Sequence, residues 1–131
     1  MKLRDQKGQA LVELALILPL MLLILFGITE FGRALYMVNT LNNAAREGAR
    51  RAAVSSPLDS ATLQTYIEGC IPFDKTGLDI DINPTNSPPQ HGIDTIEVIV
   101  TLPFQSMVPM LEGLESLKSI TLRGEASMLY E

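Results

Sequence analysis

From Ala10 to Ile28 the chain runs for 19 residues with a single charge, Glu13. At roughly 1.5 Å of helical rise per residue this is about 28 Å, close to the ~30 Å hydrocarbon core of a bilayer. Lipid offers no water to the backbone, so a spanning segment of this kind has to be a helix. Lys2, Arg4 and Lys7 precede it against Asp5. That basic flank places the N-terminus in the cytoplasm and whatever follows the run outside it.

A cleaved secretory signal would need small residues at a cutting site just beyond Ile28. The residues there are Thr29-Glu30-Phe31-Gly32-Arg33-Ala34-Leu35-Tyr36, without an A-x-A pattern. A lipoprotein would need a cysteine at the same place, and the only one, Cys70, lies far downstream. The helix is therefore expected to be retained as an anchor.

Glu13 is the informative residue of the run. A carboxylate at the centre of a membrane helix costs about 2.5–3.5 kcal/mol, and less near its end. It can snorkel to the cytoplasmic headgroups, or it can find a cation. A cut after Gly8 would supply one, the new α-ammonium of Gln9, four residues earlier on the same helical face. Gly8 followed by Gln9-Ala10-Leu11-Val12-Glu13 and an apolar helix resembles the processing site of type IV prepilins. The resemblance implies that a prepilin peptidase cuts after Gly8 and leaves the helix on the mature chain. Gln9 becomes the first residue and Glu13 the fifth, whose carboxylate meets a terminal ammonium and sets axial registry during assembly.

No proline occurs between Pro19 and Pro57, and alanine, leucine and arginine dominate the interval. The helix is thus expected to continue to about Val54, roughly 69 Å from Gln9 if unbroken. Pro19 can kink it, as membrane helices tolerate. Ala44, Gly48 and Ala52 recur every four residues, as do Ala45, Ala49 and Ala53. Small residues at this spacing let a second backbone approach closely. Gly48 costs a helix interior roughly 1 kcal/mol relative to alanine, which close packing would offset. The partner is either the chain's own C-terminal domain or the helix of another subunit. Arg46, Glu47, Arg50 and Arg51 take the intervening positions, as a solvated charge pattern or as contacts to acidic partners or headgroups.

GQALVELALILPLMLLILFGITEFGRALY followed by NTLNNAAREGARRAAV is similar to the TadE-like family of the tight-adherence (Tad) pilus systems. The similarity covers about residues 8–54, with AAREGAR its most distinctive part. It implies a pseudopilin, a minor pilin-like protein that takes part in assembly of an adhesive pilus. TadE and TadF share this helix; the short remainder and single cysteine favour the TadE-like reading.

Ser55-Ser56-Pro57 ends the helix. Asp59 or Ser60 is placed to cap a short helix running to about Gly69, with Leu63, Tyr66 and Ile67 on its apolar side. Strand patterns follow. Leu78, Ile80 and Ile82 alternate with Asp79 and Asp81. Ile96, Val98, Val100 and Leu102 alternate with Thr95, Glu97 and Thr101; Ile120, Leu122, Ala126 and Met128 alternate with Thr121, Arg123, Glu125 and Ser127. Three such strands predict a small antiparallel sheet with one apolar face lying on a helix. Asn83 to Gly92, with three prolines, reads as an exposed loop, and Met107 to Leu117 as a short helix or turn. The fold class is therefore α+β and pilin-like. It comprises a cytoplasmic leader (1–8), a transmembrane helix (9–29), an extracytoplasmic continuation (30–56) and a small α+β domain (57–131).

Composition narrows the function. The net charge of −5 leaves no basic surface for nucleic acid. One cysteine and one histidine, His91, exclude an intramolecular disulfide and leave zinc sites and Cys/His or Ser/His/Asp sets without parts. Asp79-x-Asp81-x-Asn83 opens like a calcium loop, but Pro84 and Gln90 stand where glycine and glutamate are required. Cys70 reads as a small buried hydrophobe, with an intermolecular disulfide as the alternative; Glu112 and Glu115 read as a solvated turn. Neither cofactor nor catalysis is expected. The expected partners are the prepilin peptidase, other pilin-like subunits with the assembly machinery, and the inner-membrane bilayer. The alternative is a single-pass protein whose periplasmic domain binds a ligand or partner without entering a filament.

Overall fold

The computed structural model describes residues 3–55, 59–84, 86, 89–107 and 120–131. It contains α1 (Leu3–Ala53), α2 (Ser60–Gly69), β1 (Asp79–Pro84), β2 (Thr95–Pro103) and β3 (Thr121–Leu129). The chain divides into two compact units, Met1–Arg33 and Ala34–Glu131. The described residues of the first, from Leu3 on, are helix alone. Pro19 lies inside α1 without ending it.

The second unit is an antiparallel sheet in the order β1-β2-β3, packed on the later turns of α1 and on α2. The register pairs Ile80 with Val100 and Val98 with Ala126. Because strand side chains alternate between faces, this register brings the apolar set of all three strands to one side. Ile96, Val98, Val100 and Leu102 on central β2 are buried, with Ile80 and Leu122 beside them. Leu41 of α1 and Ile67 of α2 meet them and are fully enclosed. Each of these side chains contributes about 1.5–3 kcal/mol by leaving water.

Local signals set the element ends. Asp59 is the N-cap of α2; its carboxylate accepts from the Ala61 amide at 3.2 Å and from the Thr62 hydroxyl. These bonds, chiefly the one from Thr62, hold its pKa below the usual carboxylate value. Leu63 and Ile67 face the core and Tyr66 is half-buried. Cys70 closes the helix, its amide donating to the Ile67 carbonyl at 3.0 Å. It is half-buried against the core rather than enclosed.

β1 extends to Pro84, two residues past the alternating run that predicts it, and the loop begins after it. Pro84 is tolerated because β1 is an edge strand. The loop is organised by Asp94, buried at 3% exposure. Its carboxyl accepts from Asn86 Nδ2 and from the Gln90 amide, both at 2.7 Å, as a buried polar group requires. The helix or turn expected over Met107 to Leu117 lies, beyond Met107, outside the described residues.

Both edge strands receive a side-chain amide bond from a helix. Gln64 of α2 donates to the Ile80 carbonyl at 3.1 Å, and Asn42 of α1 accepts from the Glu125 amide at 3.3 Å. The end of β3 is tied to the end of α1. Tyr130 Oη donates to the Ser55 carbonyl and the Glu131 amide to the Ala53 carbonyl, each at 2.8 Å. The second bond satisfies a carbonyl that the helix C-terminus leaves without an intrahelical partner.

Candidate functional site

The candidate site is carried on α1, and its two parts differ in surroundings. In the first, Gly8, Gln9 and Glu13 are solvent-exposed. Four residues is close to one helical turn, so Gln9 and Glu13 share a face; Gln9 Nε2 donates to Glu13 Oε1 at 3.2 Å. The space beside Gly8 is open, with no atom within 4 Å of where a Cβ would stand.

Every large apolar side chain from Leu11 to Ile28 is exposed, on all sides of the helix. A helix that is apolar all round has no water-facing side and belongs in a core or in lipid. The segment lies within the one described helix long and apolar enough to cross a membrane, Gly8–Ala53. The Thr29 hydroxyl donates back to the Phe26 carbonyl at 2.8 Å, so no polar hydrogen is wasted there. Arg33 and Glu30 pair at 2.9 Å one turn apart, and Arg33 closes this unit.

The small-residue rows lie in the second part. Ala44, Ala45, Gly48, Ala49, Ala52 and Ala53 are all buried inside the Ala34–Glu131 unit. A Cβ on Gly48 would stand 2.5 Å from Ile67 Cδ1 and 3.5 Å from Val98 Cγ1. The rows therefore face α2 and the sheet of the same chain. The charged residues between them lie on the other side. Glu47 pairs with Arg50 at 2.8 Å, and the Arg51 guanidinium sits 4.2 Å over the Tyr66 ring.

Two contributors to this surface escape a reading by hydrophobic pattern. Gly124 of β3 meets the helix backbone itself: a Cβ there would lie against the Leu41 carbonyl carbon and 2.5 Å from the Asn42 amide nitrogen. Its φ is not in the left-handed region, so close approach, not backbone freedom, requires glycine. Asn42 fixes the same crossing by bonding Glu125, while its own Nδ2 donates to the Val38 carbonyl at 3.0 Å. The signal available in sequence was a glycine standing in place of an apolar residue in an alternating strand.

Among the described residues no group of three or more His, Cys, Asp or Glu side chains is placed to hold a metal. What the arrangement offers is surface: an exposed apolar helix with a carboxylate near its start, and a domain closed on the helix's later turns. Residues 8–50 match the family model described as TadE-like protein. The match starts at Gly8, takes in the whole apolar run and ends within the small-residue rows. Searches of curated proteins and of solved structures gave no match.

Proposed function

We propose, taking residues 8–50 as TadE-like, that this protein is a minor pilin-like subunit acting in assembly of a Tad-type adhesive pilus. In this reading the prepilin peptidase cuts between Gly8 and Gln9. The apolar helix then holds the mature chain in the inner membrane, with its N-terminus at the cytoplasmic face and the domain outside. Its partners are other pilin-like subunits and the assembly machinery. The role is structural, without catalysis.

The observation that carries the reading is the register of three features. The family match begins at Gly8, the carboxylate of Glu13 lies one helical turn beyond Gln9, and the exposed apolar surface starts between them. After cutting, the α-ammonium of Gln9 would stand on the side of the helix that already presents Glu13. A carboxylate in lipid is costly alone and much less so beside a cation. Glu13 thus favours the one axial position at which an ammonium, its own or a neighbour's, is within reach.

Intact mass of the protein from its native membrane tests the cut. A chain beginning at Gln9 is expected, and an intact Met1 terminus in cells with active prepilin peptidase would sink the proposal. Glu13→Ala is expected to leave insertion unchanged and to impair piliation; normal piliation would remove Glu13 from the mechanism.

A second reading, a membrane-anchored partner-binding protein that never enters a filament, draws on the burial of the small-residue rows. Those rows are spent within the chain and are not offered to a neighbouring helix. Recovery of the processed protein from sheared pili or only from membranes separates the two readings.

A further inference from the structure

We propose that the end of the Ala34–Glu131 unit at which α1 enters it rests in the headgroup layer of the bilayer, with Tyr36 and Phe73 as its anchors. The inference rests on the membrane-anchor reading of the apolar run. It adds a second contact with lipid, made by the domain.

Several chain segments converge at this end. Tyr36, 57% exposed, stands on α1 and makes an edge-to-face contact with Phe73 at 6.2 Å. Phe73 belongs to the α2–β1 connection, which returns to the sheet through Gly77, packed on Pro103 at the end of β2. The next residue, Phe104, donates its amide to the Ile120 carbonyl at 2.8 Å, bringing in the start of β3. Leu35 is half-exposed beside Tyr36, and Met107, just past β2, is 76% exposed. Water gains nothing from this set. Tyrosine, apolar in body and polar at its tip, favours the membrane–water boundary, and phenylalanine serves on the apolar side of interfacial segments.

The length of the helix supports lipid as the occupant. Exposed large apolar residues run from Leu11 to Phe31, broken by Glu13 and by Glu30, which is paired with Arg33. From Phe31 to Tyr36 is five residues, about 7.5 Å of helix. The headgroup region adds roughly 5–8 Å on each side of the hydrocarbon core. A helix inserted to Phe31 thus delivers Tyr36 to the headgroups, and Phe73 comes with it. Lys75 is exposed on the same connection, while the Asp74 carboxylate is engaged by the amide and hydroxyl of Thr76.

The chain contains no tryptophan, so a single introduced one reports alone. Full-length Tyr36→Trp, Phe73→Trp, Ile93→Trp and Leu22→Trp are reconstituted in vesicles of phosphatidylethanolamine and phosphatidylglycerol. The acyl chains carry bromine either close to the headgroup or near the bilayer centre. Ile93 is 71% exposed and precedes β2, at the opposite end of that strand from Pro103. The expected result is quenching of Tyr36→Trp and Phe73→Trp by shallow bromine, with blue-shifted emission, and neither effect for Ile93→Trp. Leu22→Trp is expected to be quenched by deep bromine.

Quenched Leu22→Trp with unquenched Tyr36→Trp and Phe73→Trp would overturn this inference and leave the anchor standing. Unquenched Leu22→Trp would overturn the anchor and the inference together. Blue-shifted but unquenched Tyr36→Trp would mean that protein, such as a second copy of this chain, covers the patch, and equal quenching of Ile93→Trp would mean indiscriminate adsorption. Either result would also overturn it.

Discussion

The stretches Leu11–Ile28 and Met37–Ala53 of α1 are both regular helix, yet their side chains meet opposite surroundings. In the first, leucine, isoleucine and methionine project on every side and all are exposed. In the second, one side carries Met37, Leu41 and the six small residues, buried, while the other carries Arg46, Arg50 and Arg51 in water. The difference shows that apolar content alone does not decide where a helix goes. An unbroken apolar circumference suits lipid or the interior of an assembly, not water. A narrow side of alanine and glycine, with charge opposite, admits a sheet at short range and closes a soluble core.

The largest test of this contrast compares leucines. Leu41→Ala empties a site at 0% exposure and is expected to cost about 2–5 kcal/mol. At about 4–8 °C per kcal/mol for a domain of this size, the loss in Tm is large. Leu22→Ala removes an exposed side chain and is expected to leave unfolding of the domain unchanged. Thermal melting of the full chain in micelles reads both; equal losses would end the division between the two stretches.

Glycine substitutions sharpen it further. Gly124→Ala drives a methyl into helix backbone, which cannot step aside, so about 1–3 kcal/mol of destabilisation is expected. Gly48→Ala meets side chains, Ile67 and more distantly Val98, and no backbone outside its own helix, and it gains about 1 kcal/mol of helix propensity, so a smaller loss is expected. The reverse order would show that β3 does not sit on the helix as described.

The smallest effect concerns pH. Asp59 has a lowered folded-state pKa because Thr62 and the Ala61 amide bond its ionised form. Its contribution is present above the ordinary carboxylate value of about 3.9 and is lost as pH falls through the lowered folded value. The Tm advantage of the native chain over Asp59→Ala is therefore expected to fade in acid; an advantage constant with pH would remove the charge from the explanation.

Much of this fold is legible in the residues. Strict alternation locates β2, a capping aspartate locates the start of α2, and the last alanine of the small rows ends α1 within a residue of the expected Val54. Elsewhere local patterns mislead. Ile120 and Met128 fit the apolar alternation of β3 yet are each 38% exposed, because Ile120 precedes the strand and Met128 lies near its end. Gly124, at its centre, contributes no hydrophobic signal, and only the position of Leu41 and Asn42 explains it. Asp94 reads as one more acidic loop residue until Asn86 and Gln90 are seen around it. The site is legible in a similar measure. The spacing of Gly8, Gln9 and Glu13 is a feature of the sequence alone, whereas the partner of the small rows could be identified only in three dimensions.

The Asn42–Glu125 bond joins residues 83 apart in the chain. At the usual 5–20 residues per second of synthesis, the Leu41–Asn42 turn of α1 is made roughly 4–17 s before the strand that crosses it. Helix turns can form within microseconds, so for those seconds this turn stands finished without β3. Contacts that distant also close slowly. The newborn chain therefore passes through an interval in which this turn lacks the strand that crosses it. A companion that shields α1 during that interval would raise the yield of folded protein without leaving a trace in the finished structure.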